Sequence, residues 1–475
     1  MFSKETYTQR RAELARKMQG GEQGLVLLPG NAESPANYTN NAYRFRQDST
    51  FLYYFGHSLP GLAGVVDIDT GETTLFGDDF SVEDIIWMGP QPSVAELGAR
   101  VGVASTKPLS ALAEVVAGAM ARGRRGHILP PYRAETKTML AELFGGAGAG
   151  VGAVPAASDE LAKAVVDMRD KKSAEEIALI EEACRTGYEM HTLAMRMCRP
   201  GAKEQDIAGA IEGLAIQKGW GGSFHSIVSQ HGETLHNHSH DGILDSGRML
   251  LVDAGAEAVS NYCSDFTRTM PVSGKFTARQ RDIYEIVLAA NNRAFEISAP
   301  GVRYVDVHLA SSRVIVEGLH SLGLVRGSID AAVDAGVHSL FMPHGLGHQM
   351  GLDVHDMENI GERFVGYDDE TPRSTHPSVS RCRMGRRLQP GMVVTVEPGI
   401  YFVPALVAKW RAEGTCAEFV NFSKVEEYLD FGGIRLEDDM LVTETGNRLL
   451  GLADDGATPR RIPITVAEIE EAMRG

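Results

Sequence analysis

The sequence is poor in cysteine and arranges none of it in pairs. Cys184, Cys198, Cys263, Cys382 and Cys416 are odd in number and scattered over 475 residues, with no CxxC among them. That excludes a disulfide framework and a zinc–thiolate site. Long apolar runs are missing as well: none reaches the ~18 residues expected of a membrane span. The opening stretch MFSKETYTQRRAELARKMQG lacks the apolar centre of a secretory signal. Basic charge is in deficit, with 46 Lys and Arg against 63 Asp and Glu and a formal net charge of −17. Phosphate binding needs basic patches, so a nucleic-acid or acidic-membrane partner is not expected. A reducing cytoplasm is the expected compartment. Hydrophobic content of 43% and charged content of 23% are ordinary for a soluble globular protein. Nothing suggests disorder, collagen, a coiled coil or a short repeat, and the length allows more than one domain.

The first part alternates strand-like and helix-like segments. GLVLLPG (24–30) and LAGVVDIDTGETTLFGDD (62–79) look like strands, with DTGE as a hairpin turn in the second. SVEDIIW (81–87) and PLSALAEVVAGAMARG (108–123) look helical, and GGAGAGVGA (145–153) is a small-residue loop. Ser173 followed by Glu176 fits a capping box, so a long helix is expected to begin there. The domain boundary is placed near residue 165, giving domains 1–165 and 166–475. In the larger second part, helices with apolar residues at helical spacing accompany strand signals such as RMLLVDAG, MVVTVEPGIY and GIRLEDDMLVT. That suggests an α+β domain, a curved sheet backed by helices. TVAEIEEAMRG reads as a short closing helix, capped by Thr465 and Glu468.

The stretch HGLGHQMGLDVHD (344–356) holds three histidines and two aspartates among three glycines. His344 and His348 are four apart, a spacing that on a helix would put both imidazoles on one face. A zinc metalloprotease helix has a glutamate directly after its first histidine, but Gly345 follows His344 here. Interior glycines cost a helix about 1 kcal/mol each relative to alanine. The stretch is better read as strand and turn, with partners elsewhere in the chain.

Three apolar, β-branched segments are each interrupted by a carboxylate: Asp253 in LLVDAG, Glu397 in VVTVEPG and Glu437 in GIRLEDD. A fourth, SNYCSDFTRTM, places Asp265 among polar and β-branched residues. Any one of these alone reads as a strand-end acid facing water or pairing an arginine. A buried carboxylate, however, must be neutral, paired or metal-bound, and four of them with a histidine cluster point to metal. Carboxylates with one imidazole and no thiolate suit manganese, cobalt(II), iron(II) or zinc. Four carboxylates carry too much charge for one ion, whereas two ions sharing bridging carboxylates would balance it.

The second domain resembles the pita-bread metallopeptidases: methionine aminopeptidase, aminopeptidase P, prolidase and creatinase. The family's ordered ligand set Asp, Asp, His, Glu, Glu falls on Asp253 in VDAG, Asp265 in SDFTRT, His348 in HGLGHQMGLDVHD, Glu397 in TVEPG and Glu437 in RLEDD. The resemblance covers roughly residues 170–475. YRFRQDSTFLYYFG (43–56) is similar to a motif in the smaller, creatinase-like α/β amino-terminal domain of the proline-specific members. The implied fold is a pita-bread catalytic domain, with a curved antiparallel sheet backed by helices, preceded by that domain. There is one departure from the pattern. Eleven residues separate Asp253 from Asp265 where the family usually has ten, and a hairpin turn or bulge can absorb the extra one.

The resemblance implies two divalent ions, manganese first, with cobalt or zinc as alternatives. Asp253 and Asp265 would hold one ion, Asp265 and Glu437 would bridge, and His348 and Glu397 would complete the second. Glu397 would also shuttle a proton to the leaving proline nitrogen. His344 and His355 would contact substrate and stabilise the oxyanion, and His236 matches a further active-site histidine. Arg435 would pin a ligand carboxylate, and Arg383 falls where prolidase binds the substrate carboxylate. His238 and His240 are expected on the surface or in loops, His191 and His308 in the core or on the surface, and Cys263 as a packed, inert thiol. The implied activity is that of an Xaa-Pro aminopeptidase on proline-containing peptides, with prolidase as the alternative, in a homo-oligomer (dimer or tetramer). A non-catalytic binding protein on this fold would have lost ligands, and a creatinase-type hydrolase works without them; all five are present.

Overall fold

The computed structural model describes residues 2–452 and 461–474. The chain divides into two compact units, Met1–Arg169 and Asp170–Gly475. Residue 165 falls inside the helix Asp159–Arg169, so the division comes after that helix rather than within it.

The first unit is a five-stranded mixed sheet. Its strands are β1 (Gly24–Pro29), β2 (Ala63–Asp67), β3 (Thr73–Phe76), β4 (Ser105–Lys107) and β5 (Arg125–His127), in the order β4-β3-β2-β1-β5. β1, β2 and β3 pair antiparallel, with the expected turn between β2 and β3, and the outer pairings β1–β5 and β3–β4 are parallel. Leu25, Leu27, Val65 and Phe76 on the strands pack with Leu112, Val116 and Leu140 on helices. The helix Val82–Met88 is capped by Ser81 and Asp84 as its sequence suggests, yet buries none of its residues. The YRFRQDSTFLYYFG segment forms the helix Ser49–Phe55, capped by Asp48, with every residue buried. Gln47 ties it down, accepting from the Asn31 amide at 2.6 Å and donating to the Leu59 carbonyl at 2.7 Å.

The second unit opens with the helix Ala174–Met197, whose Ser173–Glu176 capping box is formed at both bonds. Its strands are β6 (Gly221–Gly222), β7 (Ile227–Ser229), β8 (Met249–Asp253), β9 (Ala256–Glu257), β10 (Thr267–Pro271), β11 (Val393–Val396), β12 (Gly399–Tyr401), β13 (Gly433–Arg435), β14 (Asp438–Val442) and β15 (Asn447–Leu449). They pair in short antiparallel groups: β10-β8-β7, β11-β14-β15, β12-β13 and β6-β9. A bridge between Thr267 and Glu437 links the first of these groups to the strands after Glu437. Helices Ala278–Ile297 and Tyr304–Ser321 back the sheet, with Ala294, Tyr304 and Val307 packed on Val394, Val396, Met440 and Val442. The closing helix is Val466–Ala472, capped by Thr465 and Glu468; Gly475 lies outside the described residues. No helix among the described residues is long and apolar enough to cross a membrane.

Candidate metal centre

Residues 344–350 form no helix. They run extended beside β11, joined to it by the bridge Gln349–Val394. The His348 amide donates to Thr395 Oγ1 at 3.1 Å, and the Thr395 amide donates to the His348 carbonyl at 2.9 Å. Gly347 makes this approach possible, because a Cβ there would lie 2.0 Å from the Thr395 carbonyl oxygen. The segment and the strand end side by side, which brings His348 to Glu397.

Strand register assembles the other ligands. Thr267 in β10 faces Asp253 at the end of β8 and, on its other side, bridges to Glu437. Asp265 lies two residues before Thr267. The connection between β9 and Asp265 closes in a turn where Asn261 takes a left-handed φ of 67° and donates to Glu257 at 2.8 Å. Asparagine tolerates that conformation better than most residues, and the turn keeps Asp253 in register with Thr267. Thr267 Oγ1 itself donates to Glu437 Oε2 at 2.7 Å and accepts from Arg435 Nε at 3.0 Å.

All five expected ligands line one cavity of about 570 Å³. The ligating atoms of Asp265, His348 and Glu437 lie within 4.8 Å of one another. His348 Nδ1 donates to the Gln349 carbonyl at 3.0 Å, which leaves Nε2 with its lone pair. That nitrogen stands 3.5 Å from Asp265 Oδ2 and 3.8 Å from Glu397 Oε1. Asp253 is turned toward Arg435, which donates from Nη2 to its Oδ2. It shares the cavity without entering the tight three-residue group.

Burial, then repulsion from neighbouring carboxylates, pushes the Asp265 and Glu437 carboxyls well above the ordinary range. Burial raises Glu397 to about 7, against the pull of His348 and Arg435. The Oδ1 atoms of Asp253 and Asp265 are buried with no hydrogen-bond partner. Crowded carboxylates, orphaned oxygens and one imidazole lone pair form a donor set that fits divalent cations, which would supply the missing positive charge.

Arg435 is buried and holds three partners at once: Thr267, Asp253 and, at 2.8 Å, Tyr401 Oη. Tyr401 is in turn 3.0 Å from His344 Nε2, and His344 Nδ1 donates to the Gly345 carbonyl at 2.7 Å. Both nitrogens of His344 are therefore engaged within the protein, and burial lowers its pKa to about 3. His355 lies against the His348 ring, centroids 3.9 Å apart, with Nδ1 3.0 Å from Glu358. His236 lines the cavity without a hydrogen bond to the described residues. Arg383 lines it too, in a loop with its side chain 41% exposed and paired with Glu358. His238, expected on the surface or in a loop, is an exposed loop residue that also borders the cavity. His240 donates instead to the Ser226 carbonyl.

Tyr401, Thr267 and Glu358 escape sequence reading. Tyr401 comes after the Glu397 motif in EPGIY, and Thr267 lies inside the Asp265 motif, so both were within reach as companions of the ligands. Glu358 carries no such signal. The remaining expectations concern the core: His191 and His308 are buried and bonded to backbone carbonyls, and Cys263 is buried.

The profile of metallopeptidase family M24 matches residues 178–444, and that of the aminopeptidase P N-terminal domain matches residues 7–129. The human Xaa-Pro dipeptidase is 32% identical over 480 aligned positions, covering 98% of this chain and 92% of the relative. The solved structure of Pseudomonas aeruginosa aminopeptidase PepP superposes with a TM-score of 0.79 at 29% identity, covering 100% of this chain and 98% of that one. Zinc-substituted E. coli aminopeptidase P in complex with product gives a TM-score of 0.78 at 29% identity, covering 100% and 99%. On this full-length similarity, and with the ligand cluster in place, the chain belongs to metallopeptidase family M24 and joins its catalytic domain to an aminopeptidase P N-terminal domain.

Proposed function

We propose that the protein is an Xaa-Pro aminopeptidase, releasing an amino-terminal residue from peptides with proline in second position. The convergence of Asp253, Asp265, His348, Glu397 and Glu437 on one cavity carries this reading, with likeness to aminopeptidase P along the whole chain. Dipeptidase activity is the second reading, favoured by the similarity to human Xaa-Pro dipeptidase.

Asp253, Asp265, His348, Glu397 and Glu437 would together hold two divalent ions, manganese first. Such a pair polarises the scissile carbonyl and makes water acidic enough to ionise near neutral pH. Glu397 would take up a proton and deliver it to the proline nitrogen, which must be protonated to leave. His355 and His236 stand on the cavity wall as substrate-contacting groups. Arg435, Tyr401 and His344 form a buried chain that holds Asp253 in orientation. Phe224, Ile227, Leu235 and Val354 give the cavity an apolar side that suits the pyrrolidine ring. The cytoplasm is the proposed compartment. A homo-oligomer is proposed from the uncovered apolar helix Val82–Met88.

The test is hydrolysis of Gly-Pro against Arg-Pro-Pro by protein stripped of metal and reloaded with manganese. Comparable rates support the aminopeptidase. Cleavage of the dipeptide alone supports the dipeptidase. Cleavage of neither by protein that has bound two ions refutes the substrate class.

A further inference from the structure

Two guanidinium groups line the cavity, Arg435 and Arg383. Arg435 is committed to Thr267, Tyr401 and Asp253. Arg383 is held from behind by a residue that does not itself line the cavity: its Nη1 donates to Glu358 Oε2 at 2.5 Å. The same carboxylate oxygen is 3.0 Å from His355 Nδ1. Glu358 reaches this place because Met357 takes a left-handed φ of 64° and turns the chain into the short helix Glu358–Ile360. Its other oxygen, Oε1, is buried without a hydrogen-bond partner. Arg383 keeps Nε and Nη2 unbonded among the described residues, so its donors remain while its charge is balanced.

An Xaa-Pro dipeptide ends in a carboxylate beside the proline ring, whereas a longer peptide has an uncharged amide there. We propose that Glu358 is a specificity-determining residue: by neutralising Arg383 it withholds the charge that would receive a dipeptide's carboxylate, and so favours peptides that continue past proline. This rests on the proposed activity and names its substrate class. A carboxylate approaching Arg383 meets no net positive charge and a second carboxylate close by, and like-charge juxtaposition is an effective means of rejecting a partner. Burial opposes the charge on Glu358, but its bond to His355 and the Arg383 guanidinium beside it hold its carboxyl well below the usual range, so it is ionised at neutral pH.

The experiment compares kcat/KM for Gly-Pro and for its carboxamide, Gly-Pro-NH2, in the metal-loaded wild type and in Glu358→Gln. Because Glu358 also touches His355, absolute rates can change, but the acid-to-amide ratio cancels any effect common to both substrates. The ratio is expected to rise about tenfold in Glu358→Gln, mainly through KM, the scale of one hydrogen bond to a charged group. Adding Arg383→Met to that variant is expected to remove the gain. A ratio that stays flat overturns the proposal. So does one that falls, which would mean Glu358 aims Arg383 at the carboxylate, and so does a gain that survives Arg383→Met. If the wild type cleaves no Xaa-Pro substrate, the proposed activity fails, and calorimetric binding of proline against prolinamide to the same variants still reads the charge contrast without turnover.

Discussion

Arg435 on β13 donates to Asp253 at the end of β8, and its second terminal nitrogen reaches Tyr401 on β12. A ligand candidate is thus oriented by a residue from a different part of the sheet. Replacing Arg435 with Met frees Asp253 to rotate and leaves Tyr401 Oη and Thr267 Oγ1 without a donor. Metal affinity is expected to fall about 10–100-fold, the usual cost of losing such a supporting contact. Metal titration by calorimetry checks this, and Tyr401→Phe, which spares the pair with Asp253, should show a smaller loss.

The carboxylate cluster carries repulsion that bound cations relieve. Asp265→Asn is therefore expected to act in opposite directions on the two forms of the protein. Without metal it should raise the melting temperature, by about 1–2 °C for each kcal/mol of repulsion removed in a unit of this size. With manganese it should lower both the melting temperature and the metal content. Thermal melts with and without chelator, paired with elemental analysis, read both effects.

Lys172 and Asp356 form an ion pair with side chains only 1% and 2% exposed. Asp356 directly follows His355, and its amide donates to the Gln349 carbonyl at 2.9 Å, so the pair anchors the loop that presents His355. Gly351 leaves room for it, since a Cβ there would lie 2.6 Å from Asp356 Oδ2. Lys172→Met takes a buried cation away from a buried carboxylate, and a loss of stability of up to about 3–5 kcal/mol is expected. Denaturant unfolding measures it, and kcat should fall with it. Unchanged stability would show that Asp356 is satisfied without Lys172.

His308 and His338 both donate from Nε2 to the Ser378 carbonyl, at 3.1 and 3.0 Å. Burial lowers their pKa values to about 4 and about 3. An unfolded histidine titrates near 6.5, so as pH falls the unfolded state takes up protons first. The stability these rings confer is intact above pH ~6.5 and declines below it, at about 1.4 kcal/mol per pH unit for each ring, until the folded values are reached. Changing His338 to Gln removes one of these titrations. The drop in unfolding free energy between pH 7 and pH 5 should then be smaller than in the wild type, and an equal drop would exclude the ring as its source.

The helix Val82–Met88 exposes Val82, Ile86, Trp87 and Met88, with Trp87 at 76%. Contiguous apolar surface of this kind is where the proposed homo-oligomer would associate. Trp87→Asp should shift the protein to a smaller species in light scattering coupled to gel filtration, without loss of helical signal. A wild type that is already monomeric at micromolar concentration would remove the proposed homo-oligomer.

Much of this was legible locally. Capping boxes at Ser173 and Thr465 start helices where their side chains say, because the cap bonds involve residues only three apart. The ligand residues stand out because carboxylates interrupting β-branched strands are costly to bury unless something compensates them. The domain division was less legible: residue 165 lies within a helix, and no glycine or proline in DELAKAVVDMRDKKS marks where that helix stops. His238 is the exposed loop histidine that its sequence suggests, and the folded chain also sets it at the edge of the cavity.

The sequence by itself determined the candidate metal ligands, since donor chemistry resides in side chains and the motifs place them in strands and turns. It also determined that HGLGHQMG is extended, because its glycines oppose a helix. Only the tertiary structure decided how those residues are paired. Arg435 meets Asp253 across 182 positions of sequence, and the partly exposed Arg383 pairs with Glu358. Strand register and a single left-handed residue, Met357, fix these partners, and no local pattern encodes which distant charge a folded strand will face.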